Sequence, residues 1–455
     1  MSSRQSRRQF IRTAGSVAAV SAVALQTVPH VHAAGSDLIQ VALIGCGGRG
    51  TGAALDALRA KGGPIKLVAM ADAYEHRLKG SYGSLSKQGP EKVDVPEDRR
   101  FVGFDAYKKA MDCLKPGDVA IFATPLAFRW VHFQYAIQKG LNVFMEKPIT
   151  ADGPTSRRML KLAEESEAKG LKVGVGLMSR HARHLEELAA RIRDGQLGDI
   201  ILMRGYRMQG PIGHFASRPK PPNISDLDYQ VQRFHSFLWA GGGAYSDYNI
   251  HIIDHLCWMK GAWPVKCQAT GGRHYQKARD GVPYVDQNFD SYSAEYTFAD
   301  GTKLLFYGRC MEGAAGIYAS FIHGTKGFAV ASRGGDCGGP SAIYKDHNQS
   351  KDGMVWQSQG GGNPYQNEWD DLIDAIRNNK PYNEAKRGVE ASVVTSMGRM
   401  AAHTGLEITY EQMLNCDHEF APDVDKLTKD SPAPVQPDAN GMYPQPQPGI
   451  KKREY

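Results

Sequence analysis

The fold is decided by residues 38–60, LIQVALIGCGGRGTGAALDALRA. This stretch begins with an apolar run rich in branched residues, 38–44, which is typical of a buried strand. Six residues containing four glycines follow, Gly45-Cys46-Gly47-Gly48-Arg49-Gly50. Residues 51–60 then have a helical pattern, so the stretch predicts a strand, a tight turn and a helix in immediate succession.

The same alternation continues along the first third of the chain. Four further apolar runs, each separated by a helix-length segment, predict buried strands at 65–71, 119–123, 142–145 and 171–176. Buried strands that alternate with helices indicate a doubly wound parallel sheet, an α/β fold. A chain of 455 residues is too long for one compact core, so we expect a second domain. We place the first domain at 36–165, with its end between 150 and 175.

The second half of the chain has a different character. It predicts one strand after another, at 199–209, 265–270, 291–298, 302–312 and 319–331, which indicates a C-terminal α+β domain with a large, open and mostly antiparallel sheet. Helices are predicted at 367–378 and 389–404, to pack on this sheet or on the first domain. We assign 166–430 to this domain. Residues 431–455 contain six prolines and predict an extended arm.

The glycine turn is a candidate dinucleotide-binding loop. Gly45-x-Gly47-x-x-Gly50 lies between strand and helix, with Gly48 and Arg49 inside it and Asp72 at the end of the next strand. The first glycine permits the tight turn, the second lets the backbone approach a pyrophosphate, and the third allows close helix packing. An acidic residue at position 72 suits the ribose hydroxyls and repels a 2′-phosphate, so NAD is favoured over NADP. Arg77 lies close enough in sequence to complicate that choice.

Further candidate residues follow two other predicted strands. Thr124-Pro125 ends one strand and Glu146-Lys147-Pro148 ends another, and the carboxyl ends of parallel strands line the ligand crevice of such sheets. With the glycine loop, His132, and the runs 142–148, 192–200 and 241–254, these motifs resemble the glucose-fructose oxidoreductase / inositol dehydrogenase (Gfo/Idh/MocA) family. The resemblance covers about residues 38–415, with the motifs in the family's order.

The resemblance implies roles for three residues. Lys147 corresponds to the family's lysine beside the nicotinamide and would stabilise charge on the reacting oxygen. Asp247 and His251, four residues apart on a predicted helix, correspond to the pair beside the substrate, with His251 as general base. Tyr248 and Asn249 depart from the small residues more common there. A solvated or satisfied interior pair remains the alternative.

Other polar residues carry weaker interpretations. His251, Asp254 and His255 have a spacing that could bind a metal, but no further ligand cluster supports this, and we predict no metal site. Arg180 could face the cleft, whereas His181 and His184 are predicted at the surface. The irregular segment 209–237 and its neighbours offer candidate walls for the substrate, namely Tyr206, Arg207, His214 and Trp239. The seven scattered cysteines have neither disulfide-framework nor metal spacing.

The N-terminus predicts export. Ser6-Arg7-Arg8-Gln9-Phe10-Ile11-Arg12 precedes a weakly apolar run, 14–28, and a small-residue cleavage site near Ala33. This is typical of a twin-arginine signal peptide, 1–33, although a general secretory signal or a membrane-surface helix has similar features. The run is too short to span a bilayer, so we expect no stable membrane insertion. Four of the charges in the net +7 leave with the signal, and charge gives no support for nucleic-acid binding.

Three functions fit these observations. The first is an exported, periplasmic NAD-dependent oxidoreductase acting on a secondary hydroxyl of a sugar, polyol or glycoside. Because free NAD is not expected outside the cytoplasm, its cofactor would be tightly bound and recycled. The second is an NAD-dependent glycosidase with net hydrolysis, although the Tyr-Pro-Thr-His-type motif we associate with it is replaced by Tyr245-Ser246-Asp247. The third is a non-catalytic sugar-binding protein. The resemblance also implies a homo-oligomer.

Overall fold

The first domain is a six-stranded parallel sheet with helices on both faces. The computed structural model describes residues 37–455, so the predicted signal peptide lies outside the described residues. The strand order is β3-β2-β1-β4-β5-β6, and every pair is parallel. Its elements are β1 (Ile39–Ile44), α1 (Gly48–Arg59), β2 (Ile65–Asp72), α2 (Glu75–Leu85), β3 (Arg100–Val102), α3 (Ala106–Asp112), β4 (Val119–Phe122), α4 (Arg129–Gln138), β5 (Asn142–Met145), α5 (Gly153–Ala168) and β6 (Val173–Val175).

The direction of the strand order reverses between β1 and β4. At such a reversal the helices that follow the two strands lie on opposite faces, which leaves a crevice at the carboxyl ends of the strands. The glycine loop follows β1 and Thr124 follows β4, so both border this crevice. The strands beside it are buried along most of their length, as their apolar runs predict.

The second domain contains a nine-stranded sheet, counted over residues 37–455. Its order is β14-β13-β12-β11-β7-β10-β9-β8-β15. Neighbouring strands are antiparallel except for β7 and β10, which are parallel. The elements are α6 (Arg183–Arg193), β7 (Ile200–Gln209), α7 (Asp226–Gln232), α8 (Leu238–Gly241), α9 (Gly243–Lys260), β8 (Lys266–Gly272), β9 (Ser291–Thr297), β10 (Lys303–Cys310), β11 (Ile317–Gly324), β12 (Gly327–Arg333), β13 (Ala342–Tyr344), β14 (Met354–Gln357), α10 (Pro364–Arg377), α11 (Ala385–Thr404), β15 (Ile408–Thr409) and α12 (Tyr410–Asn415).

Two central helices join the domains. Both α9 and α11 are buried around most of their circumference. They pack on each other, while α11 also contacts β8 and α5 of the first domain. The α10 side chains Trp369, Leu372 and Ile373 belong to the same core as β1. The predicted α/β fold with a mostly antiparallel second sheet is therefore confirmed.

Three details differ from the sequence prediction. The single strand expected at 319–331 is a hairpin, β11 and β12, because Thr325 and Lys326 form a two-residue turn. The short strands β3 and β13 to β15 were not predicted. The segment 209–237 is more ordered than its irregular pattern suggested, since it contains α7 and buries Leu227 and Tyr229.

Residues 431–455 have no helix or strand in the structure, but they lie against the second domain. Val435, Tyr443 and Glu454 are buried. Gln230 donates a hydrogen bond to the Val435 carbonyl at 2.7 Å, and the Tyr443 amide donates to the Val285 carbonyl at 3.1 Å. Over residues 37–455, the structure contains no helix with the length and apolar character needed to cross a membrane.

Candidate active site

The glycine loop borders a groove of about 330 Å³ at the carboxyl ends of the parallel strands. Gly45 has φ +97°, and a Cβ there would lie 2.6 Å from the Ala123 carbonyl carbon. A Cβ on Gly50 would lie 1.9 Å from the Gly45 oxygen. Gly48 has no atom within 4 Å of such a position. Gly45 and Gly50 thus permit the turn itself, while Gly48 leaves backbone open to a ligand in the groove.

Asp72 lies at the end of β2 on the wall of this groove. Its carboxylate accepts hydrogen bonds from the Cys46 amide at 2.7 Å and the Tyr74 amide at 2.9 Å. These bonds fix the carboxylate beside the glycine loop and leave it further lone pairs for ribose hydroxyls. Burial raises the pKa of Asp72 even though both amides favour its charged form.

Thr124 and Pro125 form another part of the groove wall. The buried Arg129 donates to the carbonyls of Phe122 at 2.7 Å and Thr124 at 2.9 Å, which holds this turn in place. The Thr124 hydroxyl lies 3.3 Å from His132 Nδ1. Burial and the charge of Arg129 lower the pKa of His132 to about 3, so its ring is neutral.

Arg49 connects the glycine loop to two buried carboxyl groups. Its Nε lies 2.5 Å from Glu146, and its Nη2 lies 3.7 Å from Glu368 on α10. The guanidinium also lies over the Tyr365 ring at 4.6 Å. Burial, together with the charge of Glu146, raises the pKa of Glu368. Glu368 and Tyr365 were not predicted, because α10 lies far along the chain and carries no motif.

A second cavity of about 320 Å³ brings the three predicted catalytic residues together. Lys147 follows β5, whereas Asp247 and His251 occupy the second and third turns of α9. Lys147 Nζ donates a hydrogen bond to the Asp247 carbonyl at 2.7 Å and lies 3.5 Å from the Asp247 carboxylate.

His235, which sequence reasoning missed, completes this group. Its Nε2 lies 3.3 Å from the second carboxylate oxygen of Asp247. Burial alone would raise the pKa of Asp247, but the charge of Lys147 and the hydrogen bond from His235 outweigh it, so the pKa is lowered. Asp247 is therefore an ionised carboxylate between two donors.

His251 lies on the wall of the same cavity and is 4% exposed. Burial lowers its pKa well below the ordinary value, and the charges of Lys147 and Arg207 add to this effect. Its Nδ1 has no hydrogen-bond partner among the residues described. His251 is thus a neutral imidazole on the cavity wall, with its Nδ1 left without a hydrogen bond.

Arg207 and Asp336 form a further part of this cavity. Arg207 donates to the Tyr248 carbonyl and lies 3.2 Å from Asp336. Burial raises the pKa of Asp336 despite the opposing charge of Arg207. Of the two departures from the family pattern, Tyr248 lines the cavity, whereas Asn249 faces β10 next to Gly308.

Arg399 on α11 connects the segments that carry the catalytic residues. Its guanidinium donates to the Ala151 carbonyl at 2.6 Å, the Gly242 carbonyl at 3.0 Å and the Ser246 hydroxyl at 3.0 Å. The buried carboxylate of Glu454 pairs with it at 2.7 Å. Residues on both sides of the cavity are therefore fixed through one side chain.

Several predicted residues lie elsewhere. His181 and His184 are buried, not at the surface as predicted. His181 lies in a turn that packs against α10, and His184 lies in the first turn of α6. Asp254 pairs with Arg180 at 2.8 Å, and His255 lies 2.8 Å from the Ser320 hydroxyl. Two of the three residues with metal-like spacing, Asp254 and His255, thus bind other side chains. Tyr206 and Trp239 line neither the groove nor the second cavity. His214 lines the groove, and Arg207 lines the second cavity.

The groove is continuous with the second cavity, which contains the predicted catalytic residues and is called the catalytic cavity below. Five residues line both of them, namely Arg49, Ala123, Thr124, Phe234 and His235. A dinucleotide in the groove would therefore reach the cavity that contains Lys147 and His251. The fold and this arrangement define a two-domain protein in which a dinucleotide-binding crevice opens into a second, polar cavity.

Comparison with known proteins gives a match to a family model within the first part of the chain. Residues 39–177 match the family model described as "Oxidoreductase family, NAD-binding Rossmann fold" of the Gfo/Idh/MocA group. The match supports the resemblance drawn from the motifs over residues 39–177. The rhizopine catabolism protein MocA of Rhizobium meliloti is 26% identical over 233 residues, which are 50% of this chain and 64% of that protein. Inositol 2-dehydrogenase of Corynebacterium glutamicum is 23% identical over 142 residues, which are 31% of this chain and 40% of the relative. The aligned part thus spans less than two thirds of either relative.

Solved structures support the fold over more of the chain. An aldose-aldose oxidoreductase from Caulobacter crescentus, complexed with glycerol, superposes with a TM-score of 0.61 at 16% identity. Scyllo-inositol dehydrogenase from Lactobacillus casei, with bound NAD(H) and scyllo-inositol, gives 0.59 at 19% identity. Each covers 82% of this chain and 99% of the compared chain. Both domains therefore have the fold of these oxidoreductases.

Proposed function

We propose that this protein is an exported NAD-dependent oxidoreductase that acts on a secondary hydroxyl of a sugar, polyol or glycoside. The observation that carries the proposal is the cluster of Lys147, Asp247, His235 and His251 in a cavity continuous with the dinucleotide groove. The similarity to inositol 2-dehydrogenase supports a polyhydroxylated substrate.

The groove residues fit NAD. The open backbone at Gly48 suits a pyrophosphate, and the Asp72 carboxylate suits an adenosine ribose with free hydroxyls. Thr124, Pro125 and Glu146, at the ends of β4 and β5, border the path to the catalytic cavity. Bound NAD would supply a hydride acceptor at that end of the groove.

The side chains of the cavity would do the proton chemistry. His251 lines the cavity and is neutral, and a neutral imidazole can accept the proton of the substrate hydroxyl. The Lys147 ammonium group would donate a hydrogen bond to the same oxygen and stabilise negative charge on it. Asp247 holds Lys147 and His235 in position and could accept a hydrogen bond from a neighbouring substrate hydroxyl.

The second domain supports tight cofactor binding. Val231, Phe234 and His235 line the groove from the side opposite the glycine loop. The segment that contains these three residues and α7 forms a cover over the groove. The Tyr74 hydroxyl, just after β2, donates a hydrogen bond to Asp228 of α7 at 3.0 Å and so holds the cover against the first domain. A dinucleotide enclosed in this way would leave only when the cover moves. Retention of the cofactor is what a protein exported through the twin-arginine machinery to the periplasm would need.

Retained NAD must be regenerated in place. We propose that a second sugar or ketose accepts the hydride of the NADH formed and is itself reduced, so that NAD is restored and the redox cycle is closed. The open face of the nine-stranded sheet, with the exposed apolar residues Ile201 and Ile317, suits a homo-oligomer.

The test begins with the purified mature protein. After denaturation, released NAD and NADH are measured by absorbance and mass spectrometry. About one dinucleotide per chain without any addition supports retention. Incubation with inositols, aldoses and glycosides, with product oxidation followed by mass spectrometry, then tests the activity. An empty protein that oxidises none of them when NAD is added refutes the proposal, while release of an aglycone without net oxidation indicates the glycosidase reaction.

A further inference from the structure

A large chamber lies beside the two cavities already described. It has a volume of about 880 Å³ and is formed by the segment 211–233, by residues 273–290 and by the end of β10. Its volume is within the range of about 300–1,000 Å³ that is usual for small-molecule sites. None of the predicted catalytic residues lines it.

The chamber is rich in positive charge. Two acidic residues line it, Asp290 and Glu312, against six basic ones, namely Arg77, Arg218, Arg233, Arg273, Lys277 and Arg279. Three of these cations have acidic partners, since Arg218 pairs with Asp280, Arg273 with Asp286 and Arg279 with Glu312.

The other three cations are Arg77, Arg233 and Lys277. In the part of the chain that the structure describes, none of them has a carboxylate within ion-pair distance. Arg233 donates only to the neutral Ser217 hydroxyl and the Ala216 carbonyl. Asp290 also lines the chamber, but its oxygens accept the amides of His274 and Tyr275 and form no ion pair with these three cations. His214, which also lines the chamber, is influenced by this positive charge. Burial lowers its pKa, and the charges of Arg233, His235 and Arg77 lower it further, to about 4.

The walls also suit a sugar ring. Tyr229, Tyr275 and Tyr284 line the chamber, and Tyr275 is 47% exposed. An exposed aromatic face beside hydrogen-bonding cations is a common platform for a pyranose ring, because the ring has an apolar face and a polar edge.

The chamber is next to the site of chemistry. Gly213 lines both the chamber and the catalytic cavity, while Arg77 and His214 line both the chamber and the dinucleotide groove. A substrate whose reacting sugar lies beside Lys147 would therefore continue past Gly213 into the chamber.

We propose that the chamber binds an acidic sugar unit of the substrate, one that carries a carboxylate or a sulfate ester. The preferred substrate is then a glycoside of at least two units, with the reacting unit in the catalytic cavity and its charged neighbour held by Arg233 and Lys277. This inference rests on the proposed function, because it names the substrate class of the same site.

The experiment compares three disaccharides with the same two sugar rings that differ at one carbon. Cellobiose is uncharged there, cellobiouronic acid carries a carboxylate, and the third is cellobiose with one sulfate ester at that carbon. Binding to the NAD-loaded protein is measured by calorimetry, and oxidation is measured separately. We expect the acidic sugars to bind at least about tenfold more tightly than cellobiose, which corresponds to one good charge-assisted hydrogen bond. A preference for the carboxylate or for the sulfate identifies the charged group. The preference should decrease as salt is raised.

The variants are K277Q and the double variant K277Q/R233Q. Lys277 is exposed and has no side-chain hydrogen bond among the described residues, so K277Q should fold normally, and it keeps the test valid if loss of the Arg233 bonds destabilises the double variant. K277Q should lower the affinity for the acidic sugars about threefold and leave that for cellobiose unchanged. K161Q, on the exposed face of α5, is the matched control.

Each outcome is decisive. Equal affinity for the three disaccharides, or a preference that K277Q and the double variant leave unchanged, overturns the inference. A loss limited to NADP affinity also overturns it, because the cations would then recognise a cofactor phosphate. Preferential binding of the acidic sugars without oxidation of any disaccharide supports the chamber while counting against the proposed activity, so the two failures are distinguishable.

Discussion

Lys147 and Asp247 are in direct contact although they lie on different domains. The ammonium group donates to the Asp247 backbone carbonyl at 2.7 Å and lies 3.5 Å from its carboxylate. The carbonyl positions the lysine through an atom that no side-chain substitution of Asp247 removes. The orientation of Lys147 is thus partly independent of the Asp247 carboxylate.

We expect K147M to lower the turnover number by about 10²- to 10⁴-fold, because the variant removes the charge that stabilises the reacting oxygen. Retained NAD per chain should be unchanged, since the glycine loop and Asp72 are intact. Turnover is measured under saturating substrate, and NAD is quantified after denaturation. K161M, on the exposed face of α5, is the control. A K147M enzyme with wild-type turnover would exclude the lysine from the chemistry.

The two histidines of the cavity should respond differently to substitution. H251Q removes the proton acceptor and should lower the rate about 10²-fold or more at every pH. H235Q removes one of the hydrogen bonds that lower the pKa of Asp247, so that pKa should rise toward its ordinary value. The acid limb of the pH–rate profile should then move to higher pH in H235Q alone. An unshifted acid limb would show that His235 has only a structural role.

Asp72 should determine the choice of cofactor. Its carboxylate borders the groove where an adenosine ribose would lie, and it would repel a 2′-phosphate. D72S should weaken NAD binding and decrease discrimination against NADP by about tenfold or more. Affinities of the cofactor-stripped protein for both dinucleotides test this. A variant R77Q tests the opposite contribution, since it should weaken NADP more than NAD.

The buried His181 should make stability dependent on pH. Burial opposes its charge, but hydrogen bonds to Asp371 and Glu384 outweigh this and raise its pKa to about 9. A raised folded-state pKa contributes stability that is fully present below the unfolded value of about 6.5 and is lost as pH rises through about 9. The unfolding midpoint should therefore fall across pH 6.5–9 more steeply in the wild type than in H181Q. H76Q, at an exposed position on α2, should keep the wild-type slope.

Glu454 should be required for a competent active site. E454Q leaves the buried guanidinium of Arg399 without its carboxylate, and breaking a buried ion pair from one side costs about 3–5 kcal/mol. We expect a lower free energy of unfolding in urea and a decrease in turnover that exceeds any loss of bound NAD. E411Q, exposed on α12, is the control. A variant with wild-type stability and turnover would show that the ion pair does not position the site.

Much of the first domain could be predicted because its signals are local. The strands β1, β2, β4 and β5 are contiguous apolar runs, and the glycine loop follows one of them directly. Lys147, Asp247 and His251 could be assigned because motifs surround them. By contrast, β13 and β14 are three and four residues long, and β14 is mostly exposed, so neither has a clear alternating pattern.

The missed site residues lack local signals altogether. His235 lies in a short turn within an irregular segment, and its role depends on the packing of that segment against α9. The burial of His181 arises from contact with α10, which is far away in sequence. Such relationships result from tertiary packing, which no periodicity in either segment reports.

The ion pair between Arg399 and Glu454 has a consequence for the order of assembly. The parts of the dinucleotide groove from β1, β2 and β4 come from one short region of the chain, which shares its core with α10. The catalytic cavity is held by Arg399, whose charge is balanced only when the segment 431–455 has reached its place. The cavity can therefore reach its final form only after residues 431–455 have packed against the second domain.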